Sequence, residues 1–180
     1  MAENWFALRV KPRHERLVAT ALHGKGYEEF LPLYRCRRKW SDRVKVLDLP
    51  LFPGYVFCRF DPNDRLPILT TPGVLLIVSS GKTPLPVDEN EISAVRTIVE
   101  SQLQVEPWPY LAAGHLVCVI SGPLRGIEGF FLNCKRPGRL VVSVTILQRS
   151  VAVEMDSECV VPLGAGYLSP YFSARALQQP

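Results

Sequence analysis

The chain lacks long hydrophobic runs. None of its stretches approaches the roughly 20 consecutive apolar residues that a membrane-spanning helix needs. Its first ten residues, MAENWFALRV, place an acid and an amide before the apolar residues, which differs from the basic start of a secretory leader. We therefore predict a cytoplasmic protein that has no membrane partner.

Groupings typical of catalytic and metal sites are also missing from the sequence. The three histidines are isolated from one another, and there is no HExxH, no GxSxG and no glycine-rich phosphate loop before a helix. The five cysteines form no CxxC pair, which argues against both a zinc site and a disulfide framework and favours small core residues of a reduced protein. They are Cys36, Cys58, Cys118, Cys134 and Cys159. We predict no metal, no cofactor and no enzymatic activity.

What the sequence does contain is an ordinary globular composition with an uneven charge distribution. Hydrophobic residues make up 47% of the chain and charged residues 21%, which permits a packed core. Residues 1–60 hold 12 Lys and Arg against 6 Asp and Glu, whereas residues 61–112 hold 3 against 7. The basic N-terminal region suggests a surface that lies near nucleic acid.

Hydrophobic periodicity predicts a compact α+β domain over residues 1–105. Helices are predicted from Arg13 to Leu22, with Leu17, Val18, Ala21 and Leu22 on the buried face, and from Asp88 onward, where Asp88 and Glu91 have the spacing of a capping box. The predicted strands are Asn4–Val10, Glu29–Tyr34, Val44–Leu49, Gly54–Phe60 and a fully buried run at Val74–Val78.

The pattern of secondary-structure signals in the sequence changes after residue 105. Two prolines one residue apart interrupt the pattern, so residues 106–113 are interpreted as a linker. Short strands bounded by turn residues then predict a small closed barrel over residues 114–163, followed by a mobile tail at residues 164–180. The predicted strands are His115–Ile120, Gly129–Asn133, Leu140–Leu147, Ser150–Met155 and Cys159–Val161.

Two motifs stand out from this background. LFPGY, from Leu51 to Tyr55, is a Pro-Gly corner between aromatic residues; it is either a turn with core aromatics or an exposed apolar pocket for a partner helix. GPLRGIEG, from Gly122 to Gly129, lies between two predicted strands and has no GK[ST], so on its own it indicates a tight turn and not a phosphate loop.

Taken in order, three segments give the chain a resemblance to a known family. NWFALRVKPRHE, PLFPGYVFCRF and GHLVCVISGPLRGIEGFF resemble the landmarks of the NusG family of transcription factors, and the match runs from Asn4 to Leu163. The resemblance implies an NGN-like N-terminal antiparallel sheet with flanking helices and a C-terminal SH3-like β-barrel that carries the KOW motif. It also implies an elongation or antitermination factor that suppresses pausing or termination by binding alone.

The same resemblance assigns residues to each surface. An apolar pocket on the N-terminal domain is expected to bind the clamp helices of RNA polymerase, and basic residues at the first helix are expected to meet non-template DNA, with a solvated face as the alternative. The polymerase positions are Trp5, Phe52, Pro53, Gly54, Tyr55 and Phe57. The nucleic-acid positions are Lys11, Arg13, His14 and Arg16, and the partner-binding KOW loop comprises Gly122, Pro123, Leu124, Arg125, Gly126 and Gly129.

Two features favour a specialised, RfaH-like paralogue over the general factor: the PLFPGYVFCRFDP stretch resembles RfaH-like members, and Leu124 departs from the NusG pattern of the KOW loop. RfaH-like members carry an aromatic residue where Arg9 stands, so one wall of the expected polymerase pocket differs from theirs. Many NusG proteins carry an aromatic residue where Leu124 stands, so Leu124 is expected to give this loop a smaller apolar tip. A contact between the KOW loop and Rho is therefore not expected, whereas ribosomal protein S-ten stays a candidate partner of a monomeric protein. The alternative is a KOW protein of the ribosome or of RNA without polymerase contact, which would not need the LFPGY corner.

Overall fold

The computed structural model describes residues 3–39, 44–109, 115–132 and 138–163. The chain divides into two compact units, the first formed by residues 1–92 with 145–147 and the second by residues 93–144 with 148–180. The predicted tail at residues 164–180 and the second half of the predicted linker lie outside the described residues.

The first unit alternates strands and short helices. In chain order its elements are β1 (Asn4–Val10), α1 (Glu15–Gly24), β2 (Glu28–Phe30), β3 (Leu33–Lys39), β4 (Val44–Pro50), β5 (Tyr55–Phe60), α2 (Leu66–Leu69), β6 (Val74–Ile77), β7 (Ser79–Ser80), β8 (Thr83–Pro84) and β9 (Pro86–Val87). Helix α3 (Glu89–Glu100) begins in this unit. Strands β2, β5, β1 and β6 form an antiparallel sheet in that order, and β9 also pairs with β1.

One face of this sheet carries the core of the first unit. Alternate residues of a strand share a face, so Phe6 and Leu8 on β1 lie beside Cys58 and Val56 on β5. All four are buried, and they belong to one cluster with α1 residues that include Leu22. The sequence thus predicted β1 correctly, to the residue.

Helix α1 differs from its prediction in its first residue and its buried face, whereas α3 begins where it was predicted. Helix α1 begins at Glu15 and not at Arg13, because Arg13 has a φ of +66°, a left-handed conformation that no right-handed helix contains. Its buried face is Glu15, Val18, Ala19 and Leu22, whereas the predicted Leu17 is 57% exposed. Helix α3 does follow Asp88, whose Oδ1 accepts a hydrogen bond from the Asn90 N–H at 2.8 Å.

The second unit contains one antiparallel sheet. Its strands are β10 (Val105–Pro109), β11 (His115–Val119), β12 (Glu128–Leu132), β13 (Gly138–Val144), β14 (Arg149–Met155) and β15 (Val160–Pro162), with short 3₁₀ turns at Thr145–Leu147 and Ser157–Cys159. The strands pair in the order β10, β14, β13, β12, β11 and β15. The five strands predicted after residue 113 are all present, with bounds that differ from the prediction by at most three residues.

Strand β10 was not predicted, and it occupies half of the proposed linker. Residues 106–109 pair with β14, from Glu106 opposite Ala152 to Pro109 opposite Arg149. Two prolines fit there because β10 is the outermost strand and alternate backbone nitrogens point to the same side of a strand. Pro107 and Pro109 therefore turn their nitrogens, which carry no hydrogen, away from β14.

Arg139 connects β10 to the rest of this sheet. Its guanidinium lies 3.0 Å from the Glu106 carboxylate and 3.5 Å from that of Glu154. The same group lies 4.9 Å from the ring centroid of Trp108, in the range of a cation–π contact. One side chain on β13 thus reaches two side chains of β10 across the intervening strand β14.

We expect Arg139→Ala to loosen β10 selectively. The two lost contacts with β10, to Glu106 and Trp108, are partly exposed and contribute on the order of 0.5 kcal/mol each, so together they lower the free energy of opening β10 by about 1 kcal/mol. Hydrogen exchange at the β10 amides that face β14 should then accelerate about fivefold, with β11 and β12 unaffected. Arg125→Ala, at an exposed loop arginine, is the control. Unchanged exchange at Glu106 and Trp108 would contradict this role for Arg139.

The cysteine prediction can be checked within the described residues. Cys36, Cys58, Cys118 and Cys159 are all free thiols there, and Cys58 is fully buried in β5. Burial, with smaller contributions from the charges of Glu29, Glu28 and Glu3, raises the pKa of the Cys58 thiol from 9.0 to about 12. Because the thiolate is the reactive form, Cys58 is protected both by access and by its pKa.

Alkylation of the folded protein at pH 8 should therefore spare Cys58 while it modifies the half-buried Cys36 and Cys159. The thiolate fraction of Cys58 is lower than that of an ordinary thiol by about three orders of magnitude, and its burial slows attack further. Mass-spectrometric peptide mapping after brief iodoacetamide treatment measures the difference, and the same treatment in denaturant should modify all the cysteines. Equal labelling of Cys58 and Cys36 in the native protein would show that β5 is not protected.

Candidate functional site

The LFPGY corner is a tight turn that joins β4 to β5. The Tyr55 N–H donates to the Phe52 carbonyl at 3.1 Å, and Gly54 has a φ of +83°. Proline at the second position and a glycine of positive φ at the third are the signature of a type II turn. The Gly54 N–H donates to Glu15 Oε1 at 2.9 Å, and its carbonyl accepts from the Val10 N–H at 2.9 Å.

Three of the predicted pocket residues are buried, and two of them, Phe52 and Phe57, form an aromatic layer behind this turn. Trp5, Phe52 and Phe57 are exposed by 2% or less. The rings of Phe52 and Phe57 meet edge to face at 5.6 Å, and Phe30 on β2 stacks on Phe57 at 6.1 Å. This layer contributes aromatic packing and does not present its rings to solvent.

The accessible surface lies at the end of the same sheet face. Tyr55, Arg9 and Leu76 stand directly opposite one another on β5, β1 and β6. Arg9 is exposed, Leu76 is 45% exposed and Tyr55 is partly exposed. With the exposed Pro53 of the turn they form a surface that we call the corner patch.

The structure therefore divides the six predicted polymerase-binding residues into two groups. Trp5, Phe52 and Phe57 lie in the interior, whereas Pro53, Gly54 and Tyr55 are partly or fully accessible. Leu76 was missed because its run, VLLIV, was interpreted as a buried strand. Leu75 and Leu76 are in fact exposed, since β6 is the last strand of its sheet and its register shifts beside Arg9 and Val10.

The four predicted nucleic-acid residues lie together in and beside the loop that joins β1 to α1. The His14 N–H donates to the Lys11 carbonyl at 3.0 Å, and His14 Nδ1 lies 3.0 Å from the Pro12 carbonyl, which accepts only, so this nitrogen carries the hydrogen. Lys11, Arg13 and Arg16 are exposed and His14 is partly exposed. We call residues 11–16 the basic loop.

The cationic side chains of the basic loop differ in whether they already have an acidic or hydrogen-bonding partner. Arg16 Nη2 donates to the Asp48 carbonyl at 3.3 Å and lies 3.9 Å from its carboxylate, so this guanidinium already has an acidic neighbour on β4. Within the described part of the chain, Lys11 and Arg13 make no ion pair and no side-chain hydrogen bond. These two are the available cations of the loop.

The GPLRGIEG segment is a tight turn between β11 and β12. The Gly126 N–H donates to the Val119 carbonyl at 2.8 Å. Leu124 points into the interior with no exposed surface, so it does not form the apolar tip that the sequence suggested. A Cβ on Gly129 would lie 2.6 Å from the Val141 carbonyl, which gives that glycine a packing role within β12. The accessible side chains of the turn are Pro123 and Arg125.

The described residues form neither a metal site nor a membrane-spanning helix. No group of three or more His, Cys, Asp or Glu side chains is placed to hold a metal ion. Among the same residues, no helix has the length and apolar character needed to cross a membrane.

Comparison with known proteins assigns this fold to the class of transcription termination factors. The family model described as NusG, transcription termination factor, matches residues 3–96, just over half of the chain. The chain therefore belongs to the NusG family.

Individual relatives agree with this assignment. The NusG termination/antitermination protein of Thermus thermophilus is 27% identical over 89% of this chain and 99% of its own length. That of Deinococcus radiodurans is 32% identical over 59% of this chain and 65% of its own. A solved structure on domain interaction in Thermotoga maritima NusG has a TM-score of 0.52 and 23% identity, and it covers 88% of this chain and 96% of its own; it supports the fold alone.

Proposed function

We propose that this protein is a transcription elongation and antitermination factor that binds the clamp helices of RNA polymerase through its corner patch and suppresses pausing or termination. The observation that carries the proposal is the row of Tyr55, Arg9 and Leu76, an accessible apolar surface with one cation, above a rigid aromatic layer. Membership of the NusG family supplies the functional class.

The physical character of the corner patch suits a helical partner. Isolated exposed leucines are ordinary, but Tyr55 with the adjacent Pro53, and Leu76 on the other side of Arg9, together offer apolar groups that an amphipathic helix covers. Arg9 at its centre adds a cation that favours an acidic residue on that helix. Phe52 and Phe57 contribute to binding by supporting the surface from behind.

The remaining surfaces receive roles from the same proposal. The basic loop would contact the phosphates of exposed non-template DNA. The second unit would act as an SH3-like KOW barrel that recruits a further partner through Pro123 and Arg125, for which the family precedent is ribosomal protein S-ten. The burial of Leu124 leaves no apolar tip for Rho, which fits a specialised, RfaH-like role.

Binding to RNA polymerase should depend on the exposed residues of the corner patch. We expect Tyr55→Ala to weaken the affinity for core polymerase about tenfold and Leu76→Ala about threefold, because truncated anchor residues at interfaces cost about 1 kcal/mol or more. Leu69→Ala, at a leucine of α2 that is 41% exposed, is the matched control. Phe52→Ala is unsuitable, since removal of a ring with 1% exposure would destabilise the fold itself.

Wild-type affinity in both the Tyr55 and Leu76 variants would rule out the corner patch. An elongation assay on paused polymerase, with and without Rho, then tests the activity: faster transit that is lost in Tyr55→Ala supports the proposal. Affinity for bare RNA with none for polymerase would instead favour the alternative of an RNA-associated KOW protein.

Binding of single-stranded DNA should depend on Lys11 and Arg13. Each lost phosphate contact should reduce the slope of log affinity against log salt by about 0.7, measured by fluorescence anisotropy. Arg13→Gly suits the test, because relief of a left-handed conformation costing about 1–2 kcal/mol offsets the roughly 0.5–1 kcal/mol entropic cost of glycine. The effect of Arg13→Gly on DNA affinity can therefore be measured without a large change in the stability of the fold.

Lys82→Ala, at an exposed lysine away from the loop, provides the control for loss of charge alone. If Lys11→Ala, Arg13→Gly and Lys82→Ala all change the affinity and the salt dependence equally, binding follows net charge and the basic loop has no specific role.

A further inference from the structure

We propose that Glu15 is a positioning residue, which holds the corner patch in its binding geometry without belonging to the patch. The inference rests on the proposed function of that patch and extends it to a residue of the buried interior. Glu15 opens α1, and only 7% of its surface is exposed. Its carboxylate accepts the Gly54 N–H at 2.9 Å, so it acts on the residue that directly precedes Tyr55.

A buried carboxylate needs a specific reason for its place. Removal of a charged group from water is costly unless hydrogen bonds compensate, and an acidic residue in the first turn of a helix is favoured by the helix dipole. Both conditions hold for Glu15, which lies in the first turn of α1 and accepts a backbone N–H. A charge-assisted bond of this kind is roughly twice as strong as a neutral one.

The corner is held at both polar groups of a single residue. The Gly54 N–H is bound by Glu15, and the Gly54 carbonyl accepts the Val10 N–H at the end of β1. The two peptide planes that flank Gly54 are thus oriented by the β1–α1 segment. Since Tyr55 follows immediately and begins β5 opposite Arg9, these two bonds act together with its strand pairing on the direction in which its ring leaves the sheet.

Without Glu15 the turn would persist but lose part of its orientation. The bond from the Tyr55 N–H to the Phe52 carbonyl is internal to the turn and does not involve Glu15. The Val10 bond would remain as one of the two attachments of Gly54. The expected result is a folded protein whose corner moves, and hence weaker binding without unfolding.

The central experiment measures the affinity of the full chain for core RNA polymerase in three variants. We expect Glu15→Ala to bind about tenfold more weakly than wild type, which corresponds to about 1.4 kcal/mol. Glu15→Gln should stay within about threefold, because its amide oxygen accepts the same N–H. Thr20→Ala, at an exposed position of α1, should match wild type.

Two further readouts separate positioning from general stability. In nitrogen-edited NMR spectra of Glu15→Ala, the Gly54 amide resonance should shift while core β1 resonances such as that of Phe6 stay in place. Because both residues act through one contact, Glu15→Ala combined with Tyr55→Ala should bind no more weakly than Tyr55→Ala alone. If Glu15→Ala does not fold, Glu15→Asp replaces it, since its shorter side chain keeps the charge but withdraws the acceptor.

The outcomes distinguish this inference from the proposed function. If wild type does not bind polymerase, or if Tyr55→Ala binds as well as wild type, the corner patch itself is refuted. If the patch holds and Glu15→Ala or Glu15→Asp keeps wild-type affinity, only the positioning role is overturned. It is likewise overturned if Glu15→Gln binds as weakly as Glu15→Ala, because charge and not the hydrogen bond would then be required.

Discussion

The geometry of the first unit depends on how the backbone of Gly54 is bound. Its N–H and carbonyl both bond to the β1–α1 segment, and its positive φ is open to glycine at little steric cost. This one residue connects the end of β1, the start of α1 and the entry to β5. The corner patch and the basic loop are consequently two sides of one rigid junction, which brings the proposed polymerase and DNA contacts next to each other.

Local signals in the sequence were sufficient to predict several elements of this arrangement. Strand β1 and the capping of α3 by Asp88 were predicted from side-chain type and spacing alone, because each is decided within a few residues. The Pro-Gly turn is equally local, since proline presets one torsion and glycine permits the next. The order of the motifs along the chain then pointed to the NusG family.

Burial was harder to predict, because it depends on what covers each face. Tyr55 and Phe57 do share a face, as the period of a strand requires, yet only Tyr55 is accessible. Leu76 looks like a core residue by composition and is exposed because its strand is the last of the sheet. Leu124 shows the reverse error, an apolar side chain expected at a loop tip that the structure buries. Whether each of these side chains is buried depends on its neighbours in the folded structure, and the periodicity of the sequence carries no information about those neighbours.

The prolines at the two ends of the second sheet have a consequence for how this protein behaves at high concentration. Outermost strands expose backbone groups that recruit strands from other molecules, which is a common route to aggregation. Strand β10 carries Pro107 and Pro109, and β15 ends at Pro162, so each outer strand has positions with no hydrogen to donate. Both outer strands thus have fewer backbone donors with which to pair, strand against strand, with copies of the same protein.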